Sequence, residues 1–352
     1  MSPKFARIFE TQNYGRSVSD EGWERLEPEH IAIWKSALKL LGTRSFKLPH
    51  CIVRIEAEWT PVLKKLERHY ATMQRLHSGI RGEKELASVL TGFPRRRTKI
   101  KLAAEIVGGD QGVKNHAVHF ADRAIESYLH DFFLILNICA PGSCDFYRAE
   151  LRGAALPTEI SLSNFCFEIA LFGSFKKKWP KIKILPLVQT IDWFDSVRSA
   201  VDQLPRNPME KVLFALLHMS KLDTTPMVIV WLFYAFESLL QTKAGENFAS
   251  LVQRLISLLE LDESESKILR NEFRSLYNIR SAIVHGGFEV AHPMHSELLD
   301  KRVEENYQRI VDATDYGSNT LIAAVQATIV RGWKYPSFTE RVQGELVEKG
   351  RP

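Results

Sequence analysis

The sequence predicts a mainly α protein in two parts: a mixed α+β N-terminal domain over residues 1–189, and a wholly helical domain over residues 190–335 followed by a tail over 336–352. Three observations predict it. From about Thr190 onward, apolar residues recur at three- and four-residue steps. Between Glu159 and Val188 the apolar residues are instead β-type and partly alternate. The charge divides at the same place, +9 over residues 1–190 and −4 over residues 191–352, within a net +5.

In chain order, Pro61 to Leu76 shows helical spacing. So does Lys114 to Ile138, with Phe120, Ile125, Leu129, Phe132 and Phe133 along one side. Pro141-Gly142-Ser143 and Gly153 to Pro157 read as turns. Leu162, Phe165, Phe167, Ile169 and Leu171, then Ile182, Ile184 and Leu185, predict a small sheet broken at Gly173 and Pro180. The C-terminal helices are predicted from Asp192 to Gln203, Pro208 to Lys221, Pro226 to Gln241, Phe248 to Glu260, Glu263 to His285, and Ser296 to about Arg331 with a break near Tyr316-Gly317. Their ends carry physical signals. Thr225 precedes Pro226 as an N-cap followed by a first-turn proline, Asp262, Glu263 and Glu265 suit a helix start, and Gly286-Gly287 supply a left-handed stop.

At 352 residues with 45% hydrophobic and 25% charged side chains, the chain can bury two cores, and nothing in it suggests disorder. Cys51, Cys139, Cys144 and Cys166 are scattered without a CxxC pair, which supports neither a disulfide framework nor a thiolate zinc site. Met1 to Asp20 lacks the apolar core of a signal peptide, and the longest strongly apolar run, Met227 to Phe236, is half a membrane span. The expectation is a cytoplasmic chain with no membrane partner. No phosphate-binding GxxxxGK[ST] loop, GxGxxG fingerprint, GxSxG elbow or HExxH pair occurs, which removes the common nucleotide-binding and hydrolase classes. His116 and His119, and His292 and His295, have no carboxylate or thiolate set beside them, so they read as surface histidines; no metal and no cofactor are expected.

Two clusters concentrate the positive charge. Arg95, Arg96 and Arg97 open a run ending at Lys101. Lys176, Lys177 and Lys178 precede Trp179-Pro180-Lys181-Ile182-Lys183. Either could hold a phosphate backbone, the second with Phe175 and Trp179 available to stack on bases; the plainer reading of both is a solvated loop.

The segment that carries chemistry is Leu276-Tyr277-Asn278-Ile279-Arg280-Ser281-Ala282-Ile283-Val284-His285-Gly286-Gly287. Phe273, Leu276, Tyr277, Arg280 and Val284 share one helix face, so the Arg280 guanidinium leaves the apolar side. A charge there requires a partner. Glu237, in line with Val230, Phe233 and Leu240 on another helix, supplies one, and a core ion pair that fixes helix register is the plainer alternative. His285 sits in the last turn, where the helix dipole favours the imidazolium and Arg280 opposes it, so it is suited to exchanging protons. A five-residue step puts the two side chains roughly 140° apart. They converge only if the final turn unwinds or another surface completes the site.

This block, with Ala235-Phe236-Glu237-Ser238-Leu239-Leu240 and the connecting Leu251-Val252-Gln253-Arg254-Leu255, resembles the HEPN superfamily, closest to its Apea-like branch, over about residues 190–335. The resemblance implies a HEPN-type helical bundle and a metal-independent ribonuclease in which a ribose 2′-hydroxyl attacks the adjacent phosphodiester. Carried over, Arg280 holds the phosphate, His285 serves as general acid or base or positions the phosphate, and Glu237 orients Arg280. Ser281 stands where many active members have Asn, Asp or His. The resemblance also implies RNA as partner, a homodimer through these helices that brings two such pairs into one cleft, and a phage-derived or regulatory trigger, in antiviral defence or toxin-like growth arrest. HEPN toxins controlled by nucleotidyltransferases often carry Tyr two residues after the His; Gly287 stands there, which disfavours that route. The alternatives are a catalytically silent HEPN module that binds RNA or protein, and RNA binding confined to the basic N-terminal half.

Overall fold

A six-stranded antiparallel sheet, covered on one side by helices, organises the first half of the chain. The computed structural model describes residues 3–11, 23–77, 97–156, 158–177, 180–198, 202–221, 225–242, 248–292, 294, 296 and 298–339. The first half comprises β1 (Lys4–Thr11), α1 (Trp23–Leu40), β2 (Thr43–Lys47), β3 (Ile52–Ala57), α2 (Thr60–His77), β4 (Thr98–Val107), α3 (Gln111–Asn115), α4 (Ala117–Cys139), β5 (Phe146–Arg152) and β6 (Thr158–Leu162). The strand order is β2-β3-β4-β1-β5-β6, with every pairing antiparallel. In β4, Ile100, Leu102, Ala104 and Ile106 are buried while Lys99 and Lys101 face outward, the alternation expected where one face is covered. The basic run that begins at Arg95 therefore leads into a strand, and Lys99 pairs with Glu10 on β1 at 3.3 Å.

The covered face is filled by aromatic rings from strands and helices. Trp59 stacks on Phe132 at 4.3 Å, and Phe9 meets Phe146 edge-on at 4.9 Å. Their polar neighbours are satisfied inside the core: Trp34 Nε1–H donates to the Ser143 carbonyl (2.8 Å), Trp59 Nε1–H to Tyr128 Oη (2.7 Å), and Tyr128 O–H to the Leu41 carbonyl (2.9 Å). Burial pushes the Tyr128 phenol well above its ordinary range.

The remaining elements are helical: α5 (Phe165–Lys177), α6 (Leu187–Val197), α7 (Pro208–Lys221), α8 (Pro226–Leu239), α9 (Phe248–Leu259), α10 (Glu263–Val284) and α11 (Arg302–Val330). Eleven helices among the described residues make the protein mainly α. The sheet expected over Glu159 to Val188 is confined to β6. Phe165 to Lys177 is helix, because Phe167, Ala170 and Leu171 are buried from several sides and such a run loses the alternation that separates strand from helix. Ile182, Ile184 and Leu185 lie in an extended connection held by Gln326, whose side chain accepts from the Lys183 N–H (2.9 Å) and donates to the Lys183 carbonyl (2.7 Å). The expected break near Tyr316-Gly317 is absent, and α11 runs through it. Gly317 serves packing instead: a Cβ there would stand 2.6 Å from Leu232 Cδ1 on α8. Thr225 occupies the N-cap of α8 as expected, but its side chain makes no capping hydrogen bond.

Position 189/190 falls inside α6, and the buried residues of both halves form one continuous core. Helix α4 is the reason: every residue from Asp131 to Cys139 is buried, and it packs against β3 and β4 as well as α6, α7 and α11. A buried charge network pins this junction. Arg198, at the end of α6, reaches Asp131 on α4 (3.5 Å) and Glu210 on α7 (3.6 Å). Burial pushes the Asp131 carboxyl up to about 6 even with Arg198 beside it. Removing one member of such a set leaves its partners uncompensated.

His30 on α1 is buried, its Nε2 makes no hydrogen bond, and burial lowers its pKa from 6.5 to about 4. A folded pKa below the unfolded one means that the unfolded chain binds more protons between these values, so this stability contribution is lost as pH falls from 6.5 toward 4. We expect the stability of the wild-type chain relative to His30→Gln, read by urea unfolding, to decline by up to roughly 1.4 kcal/mol per pH unit across that window. A difference independent of pH would contradict it.

Candidate functional site

Helix α10 is defined at both ends by its own sequence. At the start, the Glu265 N–H donates to Asp262 Oδ1 (2.8 Å) and the Asp262 N–H to Glu265 Oε2 (3.2 Å), a reciprocal capping box. The Glu265 N–H holds the Asp262 carboxyl below its ordinary value. At the end, the Gly287 N–H reaches the Ala282 carbonyl (2.7 Å) and the Gly286 N–H the Ile283 carbonyl (3.4 Å), with Gly286 at φ +75°. This is the Schellman arrangement, and it requires a residue that tolerates the left-handed region. His285 is therefore the C-cap residue, as the paired glycines predict.

Between these ends Leu269, Phe273 and Leu276 are buried, and α10 meets α8 through a cluster of rings. Phe233 is edge-on to Phe273 and to Tyr277, 5.7 Å from each, and Phe236 lies 4.9 Å from Phe273. Arg280 follows one turn later. Its guanidinium carbon lies 6.0 Å from the Phe233 ring centroid, within cation–π range, and its Nη2 is 3.7 Å from Glu237 Oε1. The pairing read from the sequence is present, but not as a core ion pair: the side chains of Arg280 and Glu237 are 27% and 45% exposed. The apolar face runs out at this turn, and Val284 beyond it is half exposed. Arg280 Nε is sealed from solvent and unpartnered, and among the described residues none of the five guanidinium N–H groups makes a hydrogen bond.

His285 is exposed, and its backbone N–H donates to the Ser281 carbonyl (2.9 Å). Through that carbonyl Ser281 is tied to the helix stop. Because α10 stays helical through Val284, the five-residue step from Arg280 to His285 keeps its wide angular separation. No hydrogen bond or ion pair joins the two among the described residues. A single copy thus carries a guanidinium and an imidazole that leave the helix in different directions.

The basic residues are placed elsewhere. Arg97 stands at the entry to β4 and pairs with Glu150 on β5 at 3.2 Å; with Arg152 it holds the Glu150 carboxyl below its ordinary value. Arg95, Arg96 and Lys178 lie outside the described residues, as do the side chains of Lys176 and Lys177 at the end of α5. His116 and His119 lie with ring centroids 6.4 Å apart, and among the described residues no group of three His, Cys, Asp or Glu side chains could hold a metal ion. Among these residues no helix is long and apolar enough to cross a membrane.

Sequence reasoning missed two features. One is Phe233 as the ring beneath Arg280, although its place three and four residues before Phe236 and Glu237 was visible. The other is the outward side of α8, where Trp231 lies flat on His218 of α7 with centroids 4.2 Å apart and planes 3° apart, and edge-on to Tyr234 at 5.7 Å. Burial and the nearby Lys221 charge lower the His218 pKa. No family model, curated protein or solved structure matches the chain.

The helix stop is directly testable. Gly286→Ala forces a Cβ into the left-handed region, and we expect it to lower stability by roughly 1 kcal/mol, read from the urea midpoint. An unchanged midpoint would show that the Schellman turn does not anchor His285.

Proposed function

We propose that the chain is a HEPN-type endoribonuclease acting without a bound metal, its C-terminal helices forming the HEPN bundle. The resemblance of the segment around Arg280 and His285 supplies the class. The observation that carries the reading is Arg280 itself: a guanidinium fixed by the Phe233 ring and Glu237, with its hydrogen-bonding capacity unspent. A phosphate oxygen is the partner such a group accepts best. In the reaction the 2′-oxygen of ribose forms a bond to phosphorus while the bond from phosphorus to the 5′-oxygen breaks. An imidazole removes the 2′-hydroxyl proton and a proton is returned to the leaving 5′-oxygen, giving a 2′,3′-cyclic phosphate and a 5′-hydroxyl. Arg280 stabilises the charge gathered on the phosphoryl oxygens. The divergence of Arg280 and His285 along one helix supports a site completed by a second copy, in which the Arg of one chain serves with the His of the other.

The competing reading is a silent HEPN module in which Arg280 is structural, and the contact with Glu237 is the observation in its favour. Purified chain in EDTA, given a set of unrelated RNAs, separates them. We expect cleavage to cyclic-phosphate ends, and a loss of about 100-fold or more for Arg280→Ala and His285→Ala with thermal stability retained. Absence of cleavage by the wild-type chain, or undiminished cleavage by both variants, would leave the silent module.

A further inference from the structure

We infer that the cleft between α4 and α7, beside Arg198, is a binding site for a free α-amino acid with an uncharged side chain, held by its ammonium and carboxylate together. The cleft encloses about 300 Å³, at the small end of ligand pockets, which suits a molecule of few heavy atoms. It lies where the sheet-bearing half meets the C-terminal helices. Neither Arg280 nor His285 lines it, and its occupant is independent of the chemistry proposed for them.

Three of the lining side chains have hydrogen-bonding capacity left over. Asp131 is buried and receives the Arg198 Nε–H on Oδ1 at 3.5 Å, while among the described residues its Oδ2 has no donor. His130 donates Nδ1–H to the Glu126 carbonyl at 2.7 Å, because a carbonyl only accepts, and this leaves Nε2 as an acceptor. Burial lowers the His130 pKa, so the ring is neutral near pH 7. Arg198, its guanidinium over the Phe214 ring, directs Nε to Asp131 and Nη1 to the Asp202 carbonyl and Glu210, while among the described residues its Nη2 has no acceptor. Two acceptors and one cationic donor thus line a single small space.

The balance of charge selects the occupant. Arg123, Arg198 and Lys221 line the cleft against Glu126, Asp131 and Asp202, so the lining is neutral; Arg206 and Glu210 just outside it cancel as well. Arg123 is tied to Glu126 at 2.6 Å, and Arg206 to Asp202 at 2.7 Å. A lone anion would meet Asp131, and a lone cation would meet Arg198 and Lys221, each repelled in a partly desolvated space. A zwitterion meets neither penalty. Its ammonium takes Asp131 Oδ2 and His130 Nε2, and its carboxylate takes Arg198 Nη2 and Lys221, which is exposed and has no partner among the described residues. Charges then alternate in sign from Asp131 through the two ligand groups to Arg198. Leu217 and Phe214 offer the ligand's side chain an apolar wall. Since Asp131 and His130 belong to α4 and Lys221 to α7, the occupant braces the joint between the two halves.

The test is isothermal titration calorimetry of the full wild-type chain near neutral pH with each common amino acid whose side chain is uncharged. Any that binds is compared with its deaminated and decarboxylated analogues, which for leucine are 4-methylpentanoate and 3-methylbutylamine. We expect at least one amino acid to bind one per chain, and both single-charge analogues to bind about tenfold or more weakly. Arg198 and Asp131 secure the joint, so the variants leave them intact. Leu217→Trp, which fills the cleft from its apolar wall, should abolish binding, and Lys221→Glu at the exposed rim should weaken it about tenfold or more with an unchanged melting temperature of the unliganded chain. Arg280→Ala, outside the cleft, should bind as the wild type does. Absence of binding by every amino acid, a single-charge analogue that binds as tightly as the amino acid, or undiminished binding by Lys221→Glu would overturn the site.

Discussion

The site depends on where the apolar stripe of α10 ends. Leu269, Phe273 and Leu276 are buried, Tyr277 lies against Phe233 of α8, and Arg280 follows on the same face. Its stem continues the packing while the guanidinium emerges at the margin, above Phe233 and beside Glu237. One turn earlier the charge would be sealed in the core and costly; one turn later it would be free in solvent and unpositioned. The capping box at Asp262 and the Schellman turn at Gly286 fix the length of α10, and with it the position of His285 relative to that margin.

Much of this was legible in the sequence because it is local. The helix of Pro208 to Lys221 coincides with α7, the starts of α8, α9 and α10 fall where proline, aromatic and acidic residues place them, and the paired glycines stop α10 as expected. The pairing of Glu237 with Arg280 followed from two opposite charges on apolar faces. Its burial did not follow, because helical periodicity gives the direction of a side chain but not the depth of the partner packed against it.

What escaped the sequence is non-local. The strands β1 to β4 are assembled from segments far apart in the chain, and in β4 the lysines that alternate with Ile100 and Leu102 disguised a strand as a basic cluster. Phe165 to Lys177 carried β-type residues into a helix because it is enclosed by its neighbours, α11 among them, so that burial and not propensity decides. Helix α4, shared by the sheet and the C-terminal helices, likewise joins two cores where charge and composition marked a boundary, and Arg198 between Asp131 and Glu210 secures that joint.

The proposed chemistry turns on whether Arg280 and His285 act across two copies, since one helix directs them apart. Mixing two inactive chains decides it. In the proposed dimer, Arg280→Ala and His285→Ala chains co-refolded in equal amounts give mixed pairs in which one site regains an intact Arg and an intact His and the other loses both. Recovery of about one quarter of wild-type RNA cleavage is the result predicted for a shared site. A mixture as inactive as its two components, with mixed dimers demonstrably present, would contradict it.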